Sequence, residues 1–230
     1  MKFQSARKIR CRLAGASLLC FMTDPNFSAI YFLLGKERYW CHQKRLWCDF
    51  GGSVNAGDRD AEDTAAREFY EETLAIVSFF NGDSLPRPHW TDIADSLRQG
   101  HYILKITQTD GTRKFVSFVK EIPWDPGVIS RFSLLRKKLT SPCSSLCHPN
   151  HPNHPNHPSQ DEQGNVRTEY LEKKVLGMWS LPQIQFAARN KGYITTRNGY
   201  EERCRVSFTN TLEIVLKELK IINYLNKWRH

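Results

Sequence analysis

The sequence predicts an α+β protein, a mixed β-sheet flanked by helices in an α/β/α sandwich. Three observations carry that expectation. Apolar and aromatic runs of strand length recur along the chain, one segment free of glycine and proline has helical periodicity, and an amphipathic helical pattern closes the sequence.

Taken in order, residues 10–22 and 27–36 (FSAIYFLLGK) read as two strands joined by the turn Asp24-Pro25-Asn26. The basic start ARKIRCRLAGASLLCFM resembles a short signal peptide in outline. Yet Arg10 and Arg12 alternate with Ile9, Cys11 and Leu13, which is the pattern of a strand. Residues 60–73 read as a helix with Ala66, Phe69 and Tyr70 on one side. A strand at 75–80 (AIVSFF) and a loop with a short helix over 81–99 follow. Strands at 102–109 and 113–122 flank Asp110-Gly111, a strong hairpin signal. A helix over 127–139, strand-like sequence at 169–181 and a terminal helix over roughly 206–226 complete the pattern.

With 230 residues, 40% of them hydrophobic, the chain suits one domain of moderate size with a real core. Residues 141–165 (SPCSSLCHPNHPNHPNHPSQDEQGN) break the composition, and their repeated His-Pro-Asn forbids helix. They read as an insertion within that domain. Cys143, Cys147, His148, His151, His154 and His157 are zinc-type residues, but a tandem repeat explains them better than a spaced ligand set.

The formal charge of +9 favours polyanionic partners such as nucleotides, polyphosphates, nucleic acid or an anionic membrane surface. Basic residues cluster at Arg7-Lys8-Arg10-Arg12 and Lys36-Arg38-Lys44-Arg45. Seven cysteines, an odd number, make no disulfide framework, and a cytoplasmic or nuclear setting is expected. No apolar run reaches the roughly 18 residues of a membrane span, so no membrane partner is expected.

Negative charge is concentrated in DFGGSVNAGDRDAEDTAAREFYEETLAIV, residues 49–77. On a helix at about 100° per residue, Glu68, Glu71 and Glu72 fall within about 100° of one another. Like charges on one stripe repel, and a divalent cation with hard oxygen preferences gives them a reason to be together. Arg67 stands four residues before Glu71 and can pair with it. Gly51-Gly52 lets backbone pass close to a ligand.

This segment resembles the Nudix box, written G-x5-E-x7-R-E-U-x-E-E-x-G-U with U apolar. Gly52 matches the opening glycine, Arg67-Glu68-Phe69-Tyr70-Glu71-Glu72 match R-E-U-x-E-E, and Ala75 takes the closing U. Asp58 stands where the first Glu is expected, eight residues rather than seven precede Arg67, and Leu74 replaces the second glycine. The form DFGG…D…TAAREFYEET, with a later YLEKKVLGMWSL, also resembles Nudix proteins of large DNA viruses, some of them similar to decapping or diphosphoinositol-polyphosphate enzymes.

The resemblance implies a hydrolase that uses Mg²⁺ or Mn²⁺ to cleave a diphosphate linkage in a small nucleoside diphosphate derivative or capped RNA. It implies Glu68, Glu71, Glu72 and the Gly52 carbonyl as metal ligands, with Arg67 orienting a glutamate. Glu72, Glu169 and Glu172 are alternative general bases. A catalytically weak nucleotide- or RNA-binding module is the second reading.

Overall fold

Strand β1 (Arg12–Asp24) runs through the centre of the sheet and supplies both cores. Its alternation sends Ala16, Leu18, Cys20 and Met22 into one apolar cluster and Leu19 and Phe21 into another. The computed structural model describes residues 11–38, 46–80, 89–140, 168–196 and 198–218, and the side chains of Thr168 and Glu169 lie outside that description.

Strand β2 (Ala29–Glu37) pairs antiparallel with β1 through the turn after Asp24. Strands β3 (Trp47–Cys48) and β4 (Phe50–Ser53) follow, β3 on β2 and β4 antiparallel to β1. Strands β5 (Leu104–Asp110) and β6 (Arg113–Glu121) form the expected hairpin around Gly111, whose φ is 57°. Strand β6 lies parallel to β1, while β7 (Lys173–Ser180) pairs antiparallel with β2, so the seven-stranded sheet is mixed.

Helices cover both faces. On one side α1 (Ala61–Glu72), α2 (Trp90–Arg98) and α3 (Val128–Thr140) bury Ala65, Phe69, Ile93, Leu97 and Phe132. On the other, α4 (Leu181–Arg189) and α5 (Val206–Lys217) bury Ile184, Ala187, Phe208, Leu212 and Val215. Each fully buried large side chain contributes roughly 1.5–3 kcal/mol. A small hairpin, β8 (Tyr193–Thr195) with β9 (Glu201–Arg203), links α4 to α5. Among the described residues no helix is long and apolar enough to cross a membrane.

Three expectations change. Residues 75–80 form no strand: Leu74 and Ala75 sit at φ 57° and 55°, and the Ala75 N–H returns 2.8 Å to the Tyr70 carbonyl. That reversal turns the chain back, and Val77 and Phe79 fill the core as an apolar loop. The strand expected over 169–181 begins at Lys173, after a 3₁₀ turn at Thr168–Leu171. The terminal helix ends at Lys217, because Glu218 is extended at φ −71° and ψ 120°. The His-Pro-Asn segment lies outside the described residues.

Candidate active site

The glycine pair explains itself through close approach on two faces. In β4, Gly51 stands opposite Ser17 and Gly52 opposite Ala16. A Cβ on Gly51 would lie 2.3 Å from the Ser17 Cβ, and one on Gly52 would lie 2.4 Å from Glu68 Oε1. Strand alternation therefore presses Gly52 against α1 and Gly51 against β1. The Gly52 carbonyl lies against Gly15, 2.6 Å from where a Cβ there would stand.

Helix α1 starts at Asp60, whose side chain accepts the Asp63 N–H at 2.8 Å. Arg98 of α2 holds Asp60 and Asp63 together, and Arg59 adds a second guanidinium to Asp63. These partners hold the Asp63 carboxyl well below its ordinary range, the Arg59 hydrogen bonds first among them. The helix is thus anchored at its entry by charge and along its length by Ala65, Ala66 and Phe69.

Arg67 is the hub of the next layer. Its Nε and Nη2 donate to the two Asp58 oxygens at 3.1 and 3.0 Å, and Nη2 also reaches the Ser53 carbonyl at 3.1 Å. Its Nη1 lies 3.1 Å from Glu71 Oε2 and 2.9 Å from Glu68 Oε1. Asp58 further accepts from Thr64 Oγ1 and the Asn55 N–H. Although partial burial opposes it, these donors hold the Asp58 carboxyl below its ordinary range. The extra residue after Asp58 is absorbed in the loop before α1, and Asp58 fixes the guanidinium that positions two glutamates.

Among the described residues, one set of acidic side chains could hold a metal ion: Glu68, Glu72 and Glu172, with ligand oxygens all within 4.8 Å of one another. Glu72 is buried, with Oε1 3.0 Å from Lys173 Nζ and Oε2 accepting the Gly51 N–H at 3.0 Å. Burial pushes the Glu72 carboxyl up to about 8 against the pull of Lys173, and burial raises Glu68 also. Two carboxylates of α1 and one from the residue just before β7 make a hard-oxygen donor set that fits a divalent cation of the Mg²⁺ type. Glu71 stands outside this set and lies on Arg67.

A cavity of about 530 Å³ adjoins the same glycines on the opposite face of the sheet. Its wall includes Ser17, Asp49, Phe115, Ser117, Arg205 and Asn210. Ser17 Oγ donates to Ser117 Oγ at 2.9 Å, and Phe115 is 40% exposed. Burial raises the Asp49 carboxyl, with a Ser17 hydrogen bond opposing. Trp47 and Trp179 are not part of this wall; they pack edge to face at 5.0 Å in the core beneath α4 and α5.

Residues 14–114 match the family model for the NUDIX domain. This segment is similar to NUDIX domains. The matched segment carries Gly52, Asp58, Arg67, Glu68, Glu71 and Glu72, whereas Glu172 and Lys173 lie outside it. Among curated proteins no sequence matches the chain. Solved structures similar to it include the NUDIX domain of Shewanella oneidensis NrtR in complex with ADP ribose. That pair shares 10% identity over 92% of this chain and 90% of the other, at a TM-score of 0.43. The NUDIX hydrolase of Alicyclobacillus acidocaldarius shares 12% identity over 93% and 99% of the two chains, at 0.40. The Mycobacterium smegmatis Nudix hydrolase RenU shares 12% over 93% and 92%, at 0.39.

Sequence reasoning did not single out Lys173, Cys48 or the cavity residues around the glycine pair. Lys173 is one lysine in a strand whose burial alternates, and hydropathy gives no reason to bury it. The only trace is indirect: Gly35 of β2 leaves the space its stem occupies, since a Cβ there would lie 2.7 Å from Lys173 Cδ.

Proposed function

We propose that this chain is a divalent-metal-dependent NUDIX hydrolase that cleaves the diphosphate linkage of a nucleoside diphosphate derivative or similar polyanion. One observation carries the reading: Glu68, Glu72 and Glu172 converge within 4.8 Å beside the glycine pair that also walls the cavity.

Glu68, Glu72 and Glu172 would hold Mg²⁺ or Mn²⁺, with Glu71 in reserve through Arg67. A bound ion of this kind neutralises phosphate charge and lowers the pKa of an attacking water. Arg67, pinned by Asp58, keeps the Glu68 and Glu71 carboxylates in register. Glu172 is exposed and stands beside the buried ligands, which suits it to take the proton from the attacking water. Glu72, already engaged by Lys173 and the Gly51 N–H, is poorly placed for that task.

The reading treats residues 1–230 as one domain with an insertion at about 141–165, supported by β7 returning to pair with β2 in the common sheet. A cytoplasmic or nuclear setting accompanies it, consistent with free thiols at Cys20, Cys48 and Cys204.

The test is hydrolysis of a substrate panel with Mg²⁺ or Mn²⁺: ADP-ribose, dinucleoside polyphosphates, diphosphoinositol polyphosphates and capped RNA. Activity on one class, lost in Glu68→Gln, supports the reading and names the substrate. No hydrolysis of any member, with nucleotide or RNA binding retained, would favour a binding module instead.

A further inference from the structure

Helix α3 carries a charge on its packed side. Phe132, Leu135 and Leu139 lie against the core shared with α1, and Arg136 stands one turn after Phe132, half-buried on the same side. Its Nη1 is buried without a hydrogen-bond partner, and among the described residues the side chain forms no ion pair. Burial pulls the guanidinium below its ordinary range, and the charge of Arg38 adds to the pull. A cation that gives up water and gains no acceptor costs stability, and an anionic ligand would offset that cost.

The surroundings of Arg136 locate the anion. Helix α3 packs against β7. Arg38, near enough to act on Arg136, donates its backbone N–H to the Glu172 carbonyl at 2.7 Å. Glu172 in turn belongs to the carboxylate set of the metal centre. Arg136 thus stands at the margin of that centre, on the side of β7.

Resting on the hydrolase reading above, we propose that Arg136 seats a phosphoryl group of the substrate, additional to the diphosphate that the metal would hold. The planar fork of a guanidinium suits phosphate oxygens taken in pairs. The substrate class is then a molecule with more phosphoryl groups than ADP-ribose carries. Arg136 is a binding residue, and it acts on the choice of substrate rather than on bond cleavage.

The probe is inorganic tripolyphosphate, titrated into the full chain in metal-free buffer at neutral pH and followed by calorimetry. Thermal unfolding of the free proteins accompanies it. Wild type is expected to bind, and Arg136→Met to bind at least roughly tenfold more weakly while unfolding at the wild-type temperature or above it. Arg189→Met removes the same charge from the exposed end of α4, on the other face of the sheet, and is expected to stay within about twofold of wild type. In hydrolysis, Arg136→Met is expected to lower kcat/KM at least roughly tenfold for a dinucleoside tetraphosphate and to leave ADP-ribose within about twofold. Unchanged binding in Arg136→Met, equal weakening in Arg189→Met, a lower unfolding temperature in Arg136→Met, or no binding by wild type would overturn the seat and leave the metal centre standing. Equal losses of kcat/KM on both substrates would overturn the additional phosphoryl group. No hydrolysis of either substrate, with tripolyphosphate bound by wild type and lost in Arg136→Met, would overturn the hydrolase reading and uphold the anion seat.

Discussion

Consider Gly52→Ala. The added Cβ would lie 2.4 Å from Glu68 Oε1 and 2.6 Å from Glu68 Cδ, whereas ordinary contact begins near 3.4 Å. The carboxylate must therefore retreat by about 1 Å, which disturbs the 2.9 Å contact of Glu68 Oε1 with Arg67. A crowded core of this kind costs typically 1–3 kcal/mol, leaving a folded protein. A displacement of about 1 Å at the reacting centre can cost on the order of 100-fold in rate. Gly51→Ala is the control of different kind. Its Cβ would strike Ser17 Cα and the Ala16 carbonyl, both at 2.7 Å, so backbone must move and β4 must part from β1. The expected result is a folded Gly52→Ala with kcat/KM down roughly 100-fold and weaker Mn²⁺ binding, and a Gly51→Ala that loses its cooperative unfolding transition. Gly52→Ala with wild-type metal affinity and activity would refute the placement of Glu68 beneath the glycine.

Other outcomes follow from the same geometry. Ala75→Gly relieves a left-handed φ of 55° and should raise stability by about 1 kcal/mol, or a few degrees in Tm, in differential scanning calorimetry. Glu72→Gln strips a buried partner from Lys173 and should cost about 3 kcal/mol by urea unfolding; Glu71→Gln, whose side chain is 16% exposed, should cost less. Asp63 has a folded pKa held below its unfolded value near 3.9, so the stability it contributes is present above that value and lost as pH falls through and below it. Asp63→Asn should flatten the acid limb of a stability–pH profile and leave the limb above pH 6 parallel to wild type. Arg67→Lys, which keeps charge but not the fork that grips both Asp58 oxygens, should lower kcat in the proposed reaction by at least tenfold.

The parts of the fold legible in the sequence are those governed by local pattern. Alternation in β1 and β6 and periodicity in α1 declare themselves because each element buries a face defined by its own residues. AIVSFF misleads for the opposite reason: its apolar, aromatic composition suits a strand, but Leu74 and Ala75 reverse the chain first, and burial is satisfied in a loop. Helix α4 was within reach, since Ser180 and Gln183 form a capping box and Pro182 stands in the first turn. At the site, the R-E-U-x-E-E glutamates stand out because helical spacing alone puts them together. Glu172 was visible only as one of three candidate bases, and Lys173 not at all, because their positions follow from β7 reaching β2 rather than from neighbours in sequence.

That last dependence shapes how the protein acquires its chemistry. Cys48 and Lys173 are 125 residues apart, and the contact between them closes only when β7 docks on the finished part of the sheet. Contacts of such sequence separation form late and slowly, since the chain entropy of closure precedes any reward. The carboxylates of α1 are thus in place before their partners arrive. An ion that favours the completed cluster will pull on that final docking step, stabilising the closed sheet in proportion to its concentration over its Kd. Metal supply would then govern how much of the chain persists in its finished form.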